Sequence, residues 1–208
     1  MKNNFFKRLL SILILGPLVL LSIYFGMYFF FALMMFLLVA GLYEISKLKN
    51  YTDKILLLIV FIAFIFSILN LRFYDNGLIY VSYIVFVTWL SDTGGYIFGK
   101  IIGGKKINFI SPNKTYSGFA GSIALSQFAY IVFMYNNFLN INHIPLIFTF
   151  IIFSSIVVII GDLFFSWIKR KNDIKNYSEL IPGHGGLLDR IDGLIFLTIF
   201  LQIFIYFL

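Results

Sequence analysis

Cysteine is absent from the chain, which excludes disulfides and thiolate metal sites and favours oxygen and nitrogen as ligands for any metal. Charge is scarce, at 12% of residues, whereas 61% are hydrophobic, including 27 Phe and 13 Tyr. A chain of that composition is not a water-soluble globule; its solvent is a bilayer. No small-residue cleavage site follows the basic start MKNNFFKRLL, which is expected to be a first membrane anchor and not a removed signal. A phosphate-binding P-loop is also missing. Gly103-Gly104-Lys105-Lys106 lacks the spacing of that motif and no strand precedes it.

What is present is a series of apolar runs, each to be weighed against the roughly 20 residues that cross a hydrocarbon core. Leu9 to Tyr43 suits a hairpin turning near Gly26, followed by a polar connection from Glu44 to Lys54. Further spans are expected at Ile55 to Leu71, Leu78 to Leu90, Phe119 to Tyr135, Ile144 to about Ile168, and Ile191 to Leu208. The expected fold is all-α, a polytopic transmembrane helix bundle of about seven spans. It forms a single membrane domain over 1–208: hydrophobic spans in 1–90, chemistry-bearing segments with intervening spans in 91–192, and a last span in 191–208.

Base exceeds acid, 16 Lys and Arg against 9 Asp and Glu. With a cytoplasmic N-terminus, alternation of the spans puts every Lys and Arg except Arg72 inside. Insertion and attraction to anionic headgroups already account for much of that asymmetry. Nucleic acid is excluded as a partner, because no soluble module presents a basic reading surface and the aromatics lie in apolar runs.

Two polar segments fall on the expected cytoplasmic side. In Ser91 to Gly118, Asp92 ends the fourth span, and Gly94, Gly95, Gly99, Gly103 and Gly104 permit close backbone approach to a helix or a ligand. Ser111, Lys114 and Thr115 sit in a turn whose hydroxyls and ammonium suit phosphate oxygens, although such a turn is as readily a plain loop.

The second segment, Ser166 to Asp192, is richer. Asp162 lies inside an apolar run just before it, where an isolated carboxylate would cost several kcal/mol and is expected to be neutral, paired or metal-bound. Lys169 and Arg170 close that helix and suit its negative end. The turn 182–186, with Gly185 and Gly186, can wrap backbone amides around an anion, and His184 within it is either a loop hydrogen-bonder or a proton-transfer group. Asp189 and Asp192, three residues apart, share one helix face; metal binding together with Asp162 is preferred here over helix capping. These residues read as a membrane enzyme acting on phosphates.

At this point the motifs carry a resemblance. S-x-I-K-R followed by P-G-H-G-G-L-L-D-R-I-D resembles the C-terminal signature of the phosphatidate cytidylyltransferases, and Asp92, Tyr96, Gly99 and the element Ser111-Pro112-x-Lys114-Thr115 resemble its preceding elements. The likeness covers about half of the chain, Ser91 to Asp192. Two departures stand out: Asn176 where Asp usually follows Lys, and Ser117 where Glu usually precedes the glycine.

The resemblance implies transfer of CMP from CTP to phosphatidic acid at the cytoplasmic face of a bacterial inner membrane. It further implies Mg²⁺ held by Asp162, Asp189 and Asp192, with a second, monovalent cation left open. Asp189, Lys169, Arg170 and His184 would be catalytic. Asp92, Ser111, Lys114, Thr115, Lys175, Gly185, Gly186 and Arg190 would bind substrate. A second copy of the chain is left open as a partner. Another lipid phosphate as acceptor, a cation or proton transporter, and an inactive relative kept as a scaffold are the competing readings. The transporter does not require the cation-rich loop, and no inverted repeat is apparent.

Overall fold

The structure is a computed structural model that describes residues 16–107, 111–135, 143–181 and 185–207; of residues 111–113 and 135 only the backbone is described. Helix α1 is described over 16–24. It is followed by α2 (Met27–Ser46), α3 (Tyr51–Phe73), α4 (Gly77–Ile101), a hairpin of β1 (Lys106–Ile107) and β2 (Ser111–Thr115), α5 (Tyr116–Ser126), a 3-10 turn (Gln127–Ala129), α6 (Tyr130–Tyr135), α7 (Ile144–Lys171) and α8 (Leu188–Tyr206). Between α1 and α2 the chain breaks at Gly26, whose φ of 109° is open to glycine and strained for other residues.

Four stretches among the described residues are long and apolar enough to cross a membrane: Met27–Ser46, Tyr51–Phe73, Tyr116–Met134 and Ile144–Lys171. The protein is an integral membrane protein. Large apolar side chains such as Phe29, Met35, Phe36 and Val39 of α2 stay exposed in the isolated chain, as lipid-facing residues do. Helix α8 opens on Asp189, Arg190 and Asp192, and α4 is diluted by Ser, Asp, Thr and Gly at 91–95, so neither meets the same measure of apolarity.

Two expectations need correcting. The polar connection from Glu44 to Lys54 shrinks to residues 47–50, because α2 runs to Ser46 and α3 begins at Tyr51; Glu44 and Asp53 therefore lie on helix, buried. Helix α4 continues through Asp92 to Ile101, so the stretch after Leu90 is helix for three further turns, where a polar loop was expected. The all-α, polytopic membrane class fits, and beside the helices one short pair of strands, β1 and β2, runs antiparallel, Lys106 opposite Thr115 and Ile107 opposite Ser111.

The chain divides into two compact units, one comprising residues up to Ile65 with Ile168–Ile191, the other Phe66–Trp167 with Asp192 onward. The first is cored by Phe30, Leu57, Phe61 and Phe64, with a smaller cluster of Ala40, Ile181 and Leu187 backed by Leu37 and Ile191. Gly41 lies beneath the Phe61 ring, where a Cβ would come within 2.2 Å of Cζ.

In the second unit Tyr83 is fully buried, stacked on Phe150 at 5.9 Å between centroids, and donates its hydroxyl to Ser154 Oγ at 2.9 Å. Burying a phenol in this environment requires such a partner. Helices α4 and α5 meet along glycines: a Cβ at Gly94 would lie 2.3 Å from Gly121 O, and one at Gly118 would lie 2.9 Å from Gly95 O. Small residues at this seam bring the helix backbones together, and Ser122 adds a hydroxyl donated to Ser91 O at 2.7 Å.

Candidate active site

Within the second unit, α4, α5, the end of β2 and the middle of α7 line a cavity of about 440 Å³. Asp92, Tyr96, Lys100, Lys114, Thr115 and Asp162 are among the polar residues that line it. Lys114 Nζ forms an ion pair with Asp162 Oδ2, both side chains about a quarter exposed. The carboxylate expected to be neutral, paired or metal-bound is thus paired, with a residue delivered from the hairpin. Lys100 reaches back one helical turn to Tyr96 Oη at 3.4 Å.

Thr115 has a local task that sequence reasoning did not assign. It is the N-cap of α5, its Oγ1 accepting from Gly118 N at 3.1 Å and lying 2.9 Å from Ser117 Oγ. Ser117 in turn donates to Gly103 O, which ties the start of α5 to the loop after α4. Ser117, the residue that departs from the expected Glu, is therefore engaged in holding this corner. The side chain of Ser111 lies outside the described residues.

The first unit gathers the second group of expected residues. Lys169 Nζ donates to Asp189 Oδ1 at 2.6 Å with both side chains largely buried, and the ammonium lies 5.6 Å from the Tyr177 ring centroid. The other oxygen of Asp189 accepts from Tyr177 N and from Gly186 N, each at 3.0 Å. Gly185 adopts φ 88° and pairs with Ile181 across the turn; its Pro182, Gly183 and His184 lie outside the described residues. Arg170, Lys175 and Arg190 are exposed.

Of the turn 182–186, expected to wrap amides around an anion, only Gly185 and Gly186 are described, and the amides from Gly186 to Leu188 meet carboxylates of the protein. Gly186 N goes to Asp189, while Leu187 N and Leu188 N donate to Glu44 Oε1 and Oε2 at 2.6 and 2.8 Å. Among the described residues no three His, Cys, Asp or Glu side chains are placed to hold an ion. Each of these carboxylates has a partner: Asp162 pairs with Lys114, Asp189 takes Lys169 and two amides, and Asp192 Oδ1 accepts from Gly193 N at 2.8 Å.

Sequence reasoning missed two buried groups of the first unit. Asp53, 1% exposed, accepts from Lys171 Nζ at 2.7 Å, Asn172 Nδ2 at 2.8 Å and Asn50 Nδ2 at 3.2 Å. Asn172, equally buried, uses Oδ1 to accept the amides of Lys49 and Asn50 at 3.1 and 3.0 Å. The second missed group is Glu44, 0% exposed. The signal for it was available, since Glu44 is the only charged residue in the run from Met27 to Ser46, and an ionisable group inside a span marks a site by default.

Comparison with known proteins gives the family. The model of the cytidylyltransferase family matches residues 49–208, and the chain belongs to that family. It is 42% identical over 130 residues to a phosphatidate cytidylyltransferase of Staphylococcus haemolyticus, covering 62% of this chain and 50% of that protein. It is 40% identical over 126 residues to the phosphatidate cytidylyltransferase of Bacillus subtilis, covering 60% and 46%. A Staphylococcus aureus phosphatidate cytidylyltransferase is 37% identical over 130 residues, covering 62% and 50%. The chain spans about half the length of the curated relatives it matches.

Proposed function

We propose that this protein transfers CMP from CTP to phosphatidic acid, releasing pyrophosphate and leaving CDP-diacylglycerol in the bilayer. The observation that carries the reading is the cavity of the second unit, where the Lys114–Asp162 pair stands beside Asp92 and Lys100 in a chain of the cytidylyltransferase family. An oxygen of the lipid phosphate forms a bond to the α-phosphorus of CTP. The bond from that phosphorus to the oxygen bridging toward the β-phosphate breaks, and its electron pair leaves with pyrophosphate. A phosphate monoester is already largely ionised near neutral pH, so no strong base is required.

The barrier is the meeting of two polyanions, and cations lower it by holding phosphate oxygens in line. Lys114 and Lys100 of the cavity are assigned that task, an incoming phosphate competing with Asp162 for Lys114. Lys169, Arg170, Lys175 and Arg190 are assigned to phosphate oxygens from the sequence.

Mg²⁺ suits this set, because it is usually bound by one or two carboxylates with substrate phosphates and water completing its shell. Asp92 and Asp162 line one cavity and meet that requirement; when bound, the ion neutralises triphosphate charge. Asp189, saturated by Lys169 and two amides, is assigned instead to hold that lysine.

The test is pyrophosphate release by the purified protein in detergent with CTP and phosphatidic acid, with and without Mg²⁺, and with ATP as control. Release that requires CTP, the lipid and Mg²⁺ together is expected; equal release from ATP, or none from a folded preparation, would refute the assignment. Seven spans with the N-terminus and the site on the cytoplasmic face of a bacterial inner membrane are proposed from the charge asymmetry, Arg72 being the cation left outside. Because the chain has no native cysteine, single cysteines at positions 49 and 75 should be labelled by an impermeant thiol reagent from opposite sides.

A further inference from the structure

Glu44 lies at the C-terminal end of α2, upstream of the stretch that matches the family model, and nothing in the proposed chemistry uses it. A fully buried acid must find donors, and those described for Glu44 are neutral: Ser178 Oγ at 2.5 Å, Leu187 N at 2.6 Å and Leu188 N at 2.8 Å. Two of the three are amides at the start of α8, where the helix presents its positive end. The third belongs to the connection between α7 and α8. Three segments of the first unit are thereby fastened to one side chain.

The fastening is continuous with Lys169. Gly186 sits between two acids: a Cβ there would lie 2.9 Å from Asp189 Oδ2 and 2.9 Å from Glu44 Oε1. Successive amides divide between them, that of Gly186 to Asp189 and those of Leu187 and Leu188 to Glu44. Asp189 spends its remaining oxygen on Lys169. The path to the ammonium is therefore Glu44, the backbone of 186–188, Asp189, Lys169, with a hydrogen bond or a covalent link at each step.

We infer that Glu44 is a positioning residue, which fixes the 186–188 turn so that Asp189 holds the Lys169 ammonium in the orientation used on phosphate. The inference rests on the phosphate-binding role assigned to Lys169 above. Two oxygens are needed because two amides must be met at once, so Glu44→Gln, of nearly the same size, offers an acceptor to one amide and an NH₂ to the other.

The test combines hydrogen exchange with a double-mutant cycle on detergent-solubilised full-length protein. In Glu44→Gln, exchange of the segment 185–192 should quicken by at least about tenfold, while the α4–α5 segment exchanges as in the parent. The kcat for CTP-dependent pyrophosphate release should fall about tenfold or more, but by less than about twofold when Lys169 is already Ala, because the two substitutions act through one path. Ser178→Ala, which keeps both amides satisfied, should give a smaller change of the same kind and covers the case of a poorly folded Glu44→Gln. Unchanged exchange at 185–192 overturns the inference, and so does a loss of activity that multiplies with Lys169→Ala. Quickened exchange in a protein whose parent releases no pyrophosphate supports the fastening and refutes the cytidylyl reading instead.

Discussion

The Lys169 ammonium lies 2.6 Å from Asp189 Oδ1, and the same carboxylate accepts two backbone amides through its other oxygen. Asp189→Asn keeps the shape and removes the charge, leaving a largely buried cation without its counter-ion, at about 3 kcal/mol for a buried pair broken on one side. Turnover should drop more than about a hundredfold, since Lys169 loses its orientation. Pyrophosphate release measured beside a helical circular dichroism spectrum checks it: lost activity with retained helix is expected, and near-normal activity would remove the pair from the site.

Lys114→Met removes the cation that faces Asp162 from β2. CTP turnover should fall at least about tenfold, while Lys114→Arg keeps a charged fork and should retain a measurable fraction of it. Steady-state kinetics on both variants distinguish a charge requirement from a loss of packing.

Asn172 makes four hydrogen bonds, accepting from the amides of Lys49 and Asn50 and donating to Asp53 Oδ2 and Ile168 O. Asn172→Ala strands two amides and takes from Asp53 Oδ2 one of its two donors, leaving Asn50 Nδ2, each unmade bond costing about 1–3 kcal/mol. A marked drop in thermal unfolding temperature in detergent is expected, and Lys171→Ala should be milder because that lysine is exposed and its pair with Asp53 partly screened.

Glycines of the α4–α5 seam should differ in tolerance. Gly94→Ala places a methyl 2.3 Å from the Gly121 carbonyl oxygen and must push the helix backbones away from each other, whereas Gly99→Ala meets Thr115 Oγ1 at 3.1 Å. The first should destabilise by about 1–3 kcal/mol and the second by less. Thermal unfolding of the pair of variants tests the order, and equal stability would mean the seam opens readily.

Much of this was legible in the sequence because bilayer chemistry is coarse. Apolar runs announce helices, and a buried acid such as Asp162 announces a partner, though not which lysine supplies it. The pairing with Lys114 depends on a short hairpin that no periodicity signals, since β1 is two residues long. Glu44 and Asp53 were assigned to a loop because charge near a span boundary resembles a connection; only the packing shows α2 and α3 carrying both acids into the interior. The turn 182–186 was expected to wrap amides around an anion, but that the amides of 186–188 go to Asp189 and Glu44 is a matter of tertiary placement, which spacing does not encode.

The glycine seam also sets how the cavity can respond to what enters it. Where α4 and α5 touch through Gly94, Gly95, Gly118 and Gly121, peptide groups pack against one another and against Phe98, Ser122 and Leu125. Side chains change rotamer within nanoseconds, but a shift between packed helices belongs to the microsecond range and beyond. Adaptation to a guest therefore falls to lining side chains such as Tyr96, Lys100, Lys114 and Phe119, which move faster than the helices of the seam can shift.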